Sequence, residues 1–171
     1  MRNVSPTDLR VAAICTGNIC RSPMAEVVLL QLIAAEPDLD GHVTVTSAGT
    51  ANWHVGDEMD PRARRALERA GYTQPGSTAL FASEEYLNDQ DVVVVMTREH
   101  LATVRERLTN PDTDVLLWRQ LIDPSSDLDV ADPYYGDDRE FDGCLDVLER
   151  SAHPLIERLR SRVLMPVDES Q

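Results

Sequence analysis

Apolar and polar positions along this chain follow two different periods, and the switches between them lay out alternating strands and helices. Leu9–Ile14 contains the run Val11-Ala-Ala-Ile14 and reads as a buried strand. Met24, Val27, Val28 and Ile33 then recur at helical spacing and predict a first helix ending near Pro37. His42–Thr46 alternates as a second strand. Asp60-Pro61 signals a helix start and Gly71 its end, and a short helix is expected from Ser83. Val92–Met96 is a continuous β-branched run capped by Met, which predicts a central strand covered on both faces. Thr97 reads as the N-cap of a helix reaching about Leu108, and Asp114–Trp118 as a fourth, shorter strand. A long acidic loop precedes a terminal helix from about Arg139 to Leu164.

This alternation predicts an α/β fold of three layers, a central four-stranded parallel sheet with helices on both faces. No repeat or linker interrupts it, so residues 1–171 are expected to form one domain, with 1–8 and 166–171 frayed. No segment has the length and apolarity of a bilayer span, so membrane insertion is not expected. Met1–Asp8 shows no apolar signal core, and three cysteines make no disulfide framework. Both fit a reducing cytoplasm, though export without a signal peptide stays open.

A formal net charge of −14 argues against nucleic acid or an anionic membrane as partner. Asp123, Asp127, Asp129, Asp132, Asp137, Asp138, Glu140 and Asp142 concentrate the acid, expected as mostly a solvated face, while Arg62, Arg64, Arg65 and Arg69 cluster elsewhere. All 16 basic residues are arginine, which excludes Schiff-base chemistry and a lysine-dependent phosphate loop.

The chemistry concentrates in Cys15-Thr-Gly-Asn-Ile-Cys-Arg21-Ser22, which joins the first strand to the first helix. Ser22-Pro23 reads as a hydroxyl N-cap followed by proline at the first helical position. Such a corner points loop amides and a helix dipole at one spot suited to phosphate. A cysteine there is expected as thiolate, because a helix N-terminus and a neighbouring arginine both favour the anion. Arg21 can grip two phosphate oxygens through its planar fork. The loop also lies at the carboxyl end of the first strand, where open parallel sheets bind ligands. A lone cysteine at a strand end is more often a buried small hydrophobe; the combination of residues at these spacings reverses that reading.

Cys15-x5-Arg21-Ser22, together with Asp132-Pro133-Tyr134-Tyr135 far downstream, resembles the low-molecular-weight protein tyrosine phosphatases of bacterial type. Thr46-Ser-Ala-Gly-Thr50, Asn52-Trp53-His-Val-Gly56 and Asp60-Pro-Arg62 match in order, so the likeness spans nearly the whole chain. It implies hydrolysis of phosphotyrosine, and of aryl phosphates, through a phosphocysteine intermediate and without cofactor or metal. Cys15 would be the nucleophile, Arg21 the phosphate and transition-state ligand, and Asp132 the general acid and then base. Thr16, Gly17, Asn18, Ile19, Cys20 and Ser22 would line the phosphate cradle, with Ser22 steadying the sulfur as leaving group. Asn18 would hold a left-handed turn, a conformation asparagine tolerates, supported by Ser47. Trp53, Tyr134 and Tyr135 would wall an aromatic slot, core packing being their alternative. The acidic surroundings of Asp132 are expected to help it hold a proton.

The resemblance further implies that Cys15 and Cys20 can close as a disulfide under peroxide, whereas Cys144 reads as buried and inert. His42, His54, His100 and His153 lack ligand-like spacing and are assigned no chemistry. Two positions depart from the family pattern: Gly76 stands where many members carry a histidine, and Thr97 where an aspartate usually caps the helix. Both are expected to slacken the support of Asn18 and so to affect rate. Substrates would be phosphotyrosine proteins, met by a monomer. Two other readings remain: a thioredoxin-coupled arsenate reductase, which needs further cysteines where residues 70–96 have none, and a phosphotyrosine-binding module without turnover.

Overall fold

The computed structural model describes residues 8–125 and 128–165. Four strands, β1 (Leu9–Cys15), β2 (Val43–Gly49), β3 (Val92–Val95) and β4 (Asp114–Leu117), form one parallel sheet in the order β2-β1-β3-β4. Five α-helices surround it: α1 (Arg21–Ala34), α2 (Pro61–Arg69), α3 (Glu84–Asn88), α4 (Arg98–Arg107) and α5 (Asp138–Leu164).

Alternation of side chains across the strands divides the core in two. Val11, Ala13, Val92 and Val94 face a layer containing Met24, Val28 and Leu29 of α1 and Leu148, Leu155 and Leu159 of α5. Ala12, Ile14, Val93 and Val95 face Leu87 and Val104 on the opposite side. The sheet is thus covered on both faces, which is why β3 reads as unbroken valine. No helix among the described residues is long and apolar enough to cross a membrane.

Several boundaries differ from the sequence reading for identifiable reasons. β2 runs on to Gly49 because β1 pairs with it along its whole length, Cys15 opposite Gly49. The fourth strand stops at Leu117, where Trp118 turns into a 3₁₀ helix, Trp118–Leu121, and buries its indole. α5 begins at Asp138 behind a capping box in which Asp137 and Glu140 exchange bonds with each other's backbone. Asp8, expected frayed, meets His42 at 3.0 Å. The remainder of the expected frayed ends, and Asp127, lie outside the described residues.

The chain leaves β1 toward β2 on one side and later crosses to β3 on the other, so strand order reverses at β1. The loop after Cys15 therefore opens where the crevice of an open sheet lies.

Candidate active site

Residues 16–20 join β1 to α1, and the carbonyls at both ends of this loop are engaged by neighbouring backbone amides. Cys15 and Thr16 oxygens accept from Thr50 and Ala51 amides at 2.9 and 3.0 Å, while Ile19 and Cys20 oxygens accept from Asp60 and Met24 amides. Because each peptide is trans, an outward C=O leaves the following N–H facing inward. The end of β2 has to pass very close for this: a Cβ on Gly49 would lie 2.4 Å from the Thr16 carbonyl oxygen. Asn18 alone among described non-glycine residues has positive φ, 56°.

Ser22 is not the cap that the sequence suggested. Cys20 occupies the N-cap position with no side-chain bond, and Ser22 is the second helical residue. Its hydroxyl instead meets Cys15 Sγ at 2.9 Å and accepts from Asn18 Nδ2 at 2.7 Å. Asn18 also donates to Ser47 Oγ at 2.9 Å and accepts from the Leu80 amide at 2.9 Å. Ser47 in turn donates to Glu26 Oε2, which also accepts from Ser77 at 2.8 Å. A buried carboxylate on α1 thus anchors the chain of bonds that ends at the sulfur. The histidine missing at Gly76 leaves no break in it, because Ser77 and Ser47 reach the carboxylate themselves. Thr97 likewise caps α4, accepting from the His100 amide at 3.1 Å.

Arg21 is buried beside the sulfur. Its Nη1 donates to the Val130 carbonyl at 3.1 Å, its Nη2 reaches Thr16 Oγ1 at 3.5 Å, and Asp132 Oδ2 lies 3.4 Å from Nη2. Its Nε has no partner among the described residues. Behind Thr16 stands His100, which meets Thr16 Oγ1 through Nε2 at 2.7 Å. Burial and the neighbouring Arg21 push the His100 pKa down to about 4, so the imidazole is neutral near pH 7.

Cys15, Thr16, Gly17, Ile19, Cys20, Trp53, His54, Asp132, Tyr134 and Tyr135 line one cleft of about 250 Å³. Trp53 is 75% exposed and Tyr135 93%, so neither is a core residue; the rings stand as walls over an apolar mouth. Asp132 is half-exposed, and its Oδ1 accepts from the Tyr134 amide at 3.1 Å, which turns the carboxyl toward the cleft floor. Arg62 holds the loop behind it: it pairs with Asp60, donates to the Gly136 carbonyl at 2.9 Å, and covers the rings of Tyr134 and Phe141.

Every cradle and wall residue expected from sequence is brought to this cleft or its immediate support. Glu26, His100 and the latch made by Arg62 support the cleft from behind without having been assigned a part in it, and His54 lines it. A single acid inside the apolar stripe Met24–Val28 was the available signal for Glu26. The acidic run is not simply a solvated face remote from the basic cluster: Arg65 meets Asp138 at 3.1 Å and Arg69 meets Asp142 at 2.6 Å. Asp132 also has a cation against it, Arg21 Nη2 at 3.4 Å, besides the acidic run it belongs to. Cys20 and Cys144 are buried free thiols; burial raises both, Cys144 to about 12.

An open parallel sheet whose first strand delivers a sulfur, inward-facing amides and a buried arginine to one cleft defines a phosphate-handling α/β enzyme. The model of the low molecular weight phosphotyrosine protein phosphatase family matches residues 10–164, and the chain belongs to that family. It is 38% identical over 159 residues to a low molecular weight protein-tyrosine-phosphatase of Streptomyces coelicolor, covering 90% of this chain and 95% of that protein. The crystal structure of YfkJ from Bacillus subtilis superposes with a TM-score of 0.80 at 30% identity, over 91% of this chain and 96% of that one. The YwlE arginine phosphatase of Geobacillus stearothermophilus gives 0.77 at 28%, over 90% and 94%. The chain is accordingly of the low molecular weight protein-tyrosine-phosphatase type, a hydrolase family.

Proposed function

We propose that the enzyme hydrolyses phosphotyrosine in two displacements through Cys15. In the first, the Cys15 thiolate attacks phosphorus, the P–O bond to the phenol breaks, and Asp132 gives its proton to the departing oxygen. In the second, Asp132 takes a proton from water as that water attacks phosphorus, and the P–S bond breaks to return thiolate and inorganic phosphate. Arg21 and the amides of residues 16–20 hold the three equatorial oxygens, over which the charge is spread in both transition states. Ser22 directs its hydroxyl at the sulfur and eases its departure.

The observation that carries this reading is the placing of Cys15 Sγ, 2.9 Å from Ser22 Oγ, on the floor of a cleft whose wall holds Asp132. The aromatic rings above it fit a phosphorylated phenol, and their exposure leaves room for the flanking peptide.

Rapid quenching during turnover of a phosphorus-labelled aryl phosphate tests the covalent step. Label is expected on the Cys15 peptide, stable to base and labile to iodine. Cys15→Ser is expected to lose turnover by at least a factor of about 10,000. Asp132→Ala is expected to lower the rate ~100-fold or more for poor leaving groups and less for good ones. Label on another residue, or an equal loss for all leaving groups, would remove the corresponding role. Phosphoarginine peptides form the control arm, given the likeness to YwlE; faster release from these than from phosphotyrosine would reassign the substrate.

A further inference from the structure

Thr16, the first residue after the sulfur, holds two unlike partners through one oxygen. Arg21 Nη2 approaches Thr16 Oγ1 at 3.5 Å and His100 Nε2 at 2.7 Å. A guanidinium can only donate, so Thr16 Oγ1 accepts on that side and has a single proton of its own to place. His100 comes from α4, on the far side of the sheet from α1, and is 3% exposed. Its other ring nitrogen, Nδ1, has no partner among the described residues. A buried imidazole with one unmatched nitrogen costs stability, which a plain aliphatic residue would avoid.

We propose that His100 is a positioning residue for phosphate binding: its Nε2 accepts the Thr16 hydroxyl proton, and that bond presents the hydroxyl's lone pairs to Arg21. It rests on the reading of Arg21 as phosphate ligand given above. The proposal assigns the Nδ1–H tautomer to His100, with the Thr16 hydroxyl as donor in the 2.7 Å contact. With the Thr16 proton taken by Nε2, the oxygen offers only lone pairs toward Nη2 and anchors that edge of the guanidinium. Nη1 is already fixed on the Val130 carbonyl at 3.1 Å, so the fork is held from two sides, with its Nε edge unpartnered among the described residues. Were the hydroxyl to point its proton at Arg21 instead, two donors would face each other inside the cradle.

The surroundings keep the ring in the required form. Arg21 faces it as a fixed cation, Asp129 and Asp132 lie on the acidic-loop side, and Thr97 holds its backbone amide. The burial and cation that lower its pKa keep the ring neutral throughout the neutral range, so that one of its two nitrogens can accept.

Orthovanadate binding, followed by the fluorescence of Trp53 at the cleft mouth, tests this independently of any covalent intermediate. His100→Phe keeps the ring volume without the acceptor, and Thr16→Val keeps the shape without the hydroxyl. Each is expected to weaken vanadate by about tenfold, the ratio one hydrogen bond supplies. The double variant is expected to lose no more than either alone, because both remove one device. His100→Gln, which can still accept, is expected to recover to within about threefold of the parent. Unchanged vanadate affinity in His100→Phe, or losses that add in the double variant, would show a packing role and overturn the proposal. If His100→Phe fails to fold, Thr16→Val decides alone: tenfold weaker binding supports the device, unchanged binding refutes it. A parent protein that binds no vanadate would fault the reading of Arg21 as phosphate ligand, and the proposal with it.

Discussion

At the scale of single residues, the site is organised by what each side chain can donate or accept. Asn18 serves as a hub because its amide offers two donors, for Ser22 and Ser47, and an acceptor for the Leu80 amide. Ser47 can accept from Asn18 only because its own proton has a destination, the buried carboxylate of Glu26. Replacing Glu26 by Leu strands that hydroxyl, and ~1–3 kcal/mol of stability is expected to be lost. Freed Ser47 would also release Asn18 from its left-handed turn, so kcat is expected to fall with the melting temperature. Chemical denaturation alongside steady-state kinetics checks this; full turnover in a folded Glu26→Leu protein would separate the two. Glu26 escaped the sequence reading because a periodicity argument averages over a helix face and hides one acid among apolar neighbours. Cys15 and Arg21 were legible because a loop that must close on itself dictates their spacing, whereas Asp132, far downstream, was legible only through the Asp132-Pro133-Tyr134-Tyr135 motif and its family resemblance.

At the scale of elements, the corner works because β2 travels close beneath it. Gly49 ends that strand opposite Cys15, and an added methyl would sit 2.4 Å from a carbonyl oxygen of the loop. Backbone cannot yield there without moving the amides, so Gly49→Ala is expected to lose phosphate affinity and activity by tenfold or more, with stability reduced by about 1–3 kcal/mol. A crystal structure of a fully active Gly49→Ala enzyme would contradict it. Strand and helix order and the parallel sense of the sheet were legible from periodicity and alternation, whereas which strand neighbours which was not. Nor was the end of β2, because its last residues are set by pairing with β1 and not by their own pattern. The Ser22 cap failed for a related reason. A hydroxyl before proline satisfies the local rule, but here a tertiary partner, the sulfur, claims it.

For the whole molecule, acid and base are less segregated than their order in the sequence implies. α2 and the start of α5 interlock through Arg65, Arg69, Asp138 and Asp142, a pairing that linear distance conceals. These pairs are half-exposed and each contributes little, so the fold rests mainly on its two apolar layers. One buried titration does reach global stability. His100 has a pKa of about 4 in the folded chain against an ordinary 6.5, so between those values the unfolded chain binds the extra proton. Stability is therefore complete above pH 6.5 and declines as pH falls toward 4, by up to about 3 kcal/mol. The lowered carboxylates, Asp60 and Asp137 among them, act below that window. Denaturant midpoints between pH 7 and 4 are expected to fall for the parent and to stay nearly level for His100→Gln; parallel curves would show that other groups control the decline.

Arg62 ties the strip that follows Asp132 to α2, through the Gly136 carbonyl and the Tyr134 ring. The width of the mouth is thus governed from outside the reacting centre. Evolution can retune which phosphorylated ring is admitted by altering that one clasp, and leave the machinery for breaking the ester undisturbed.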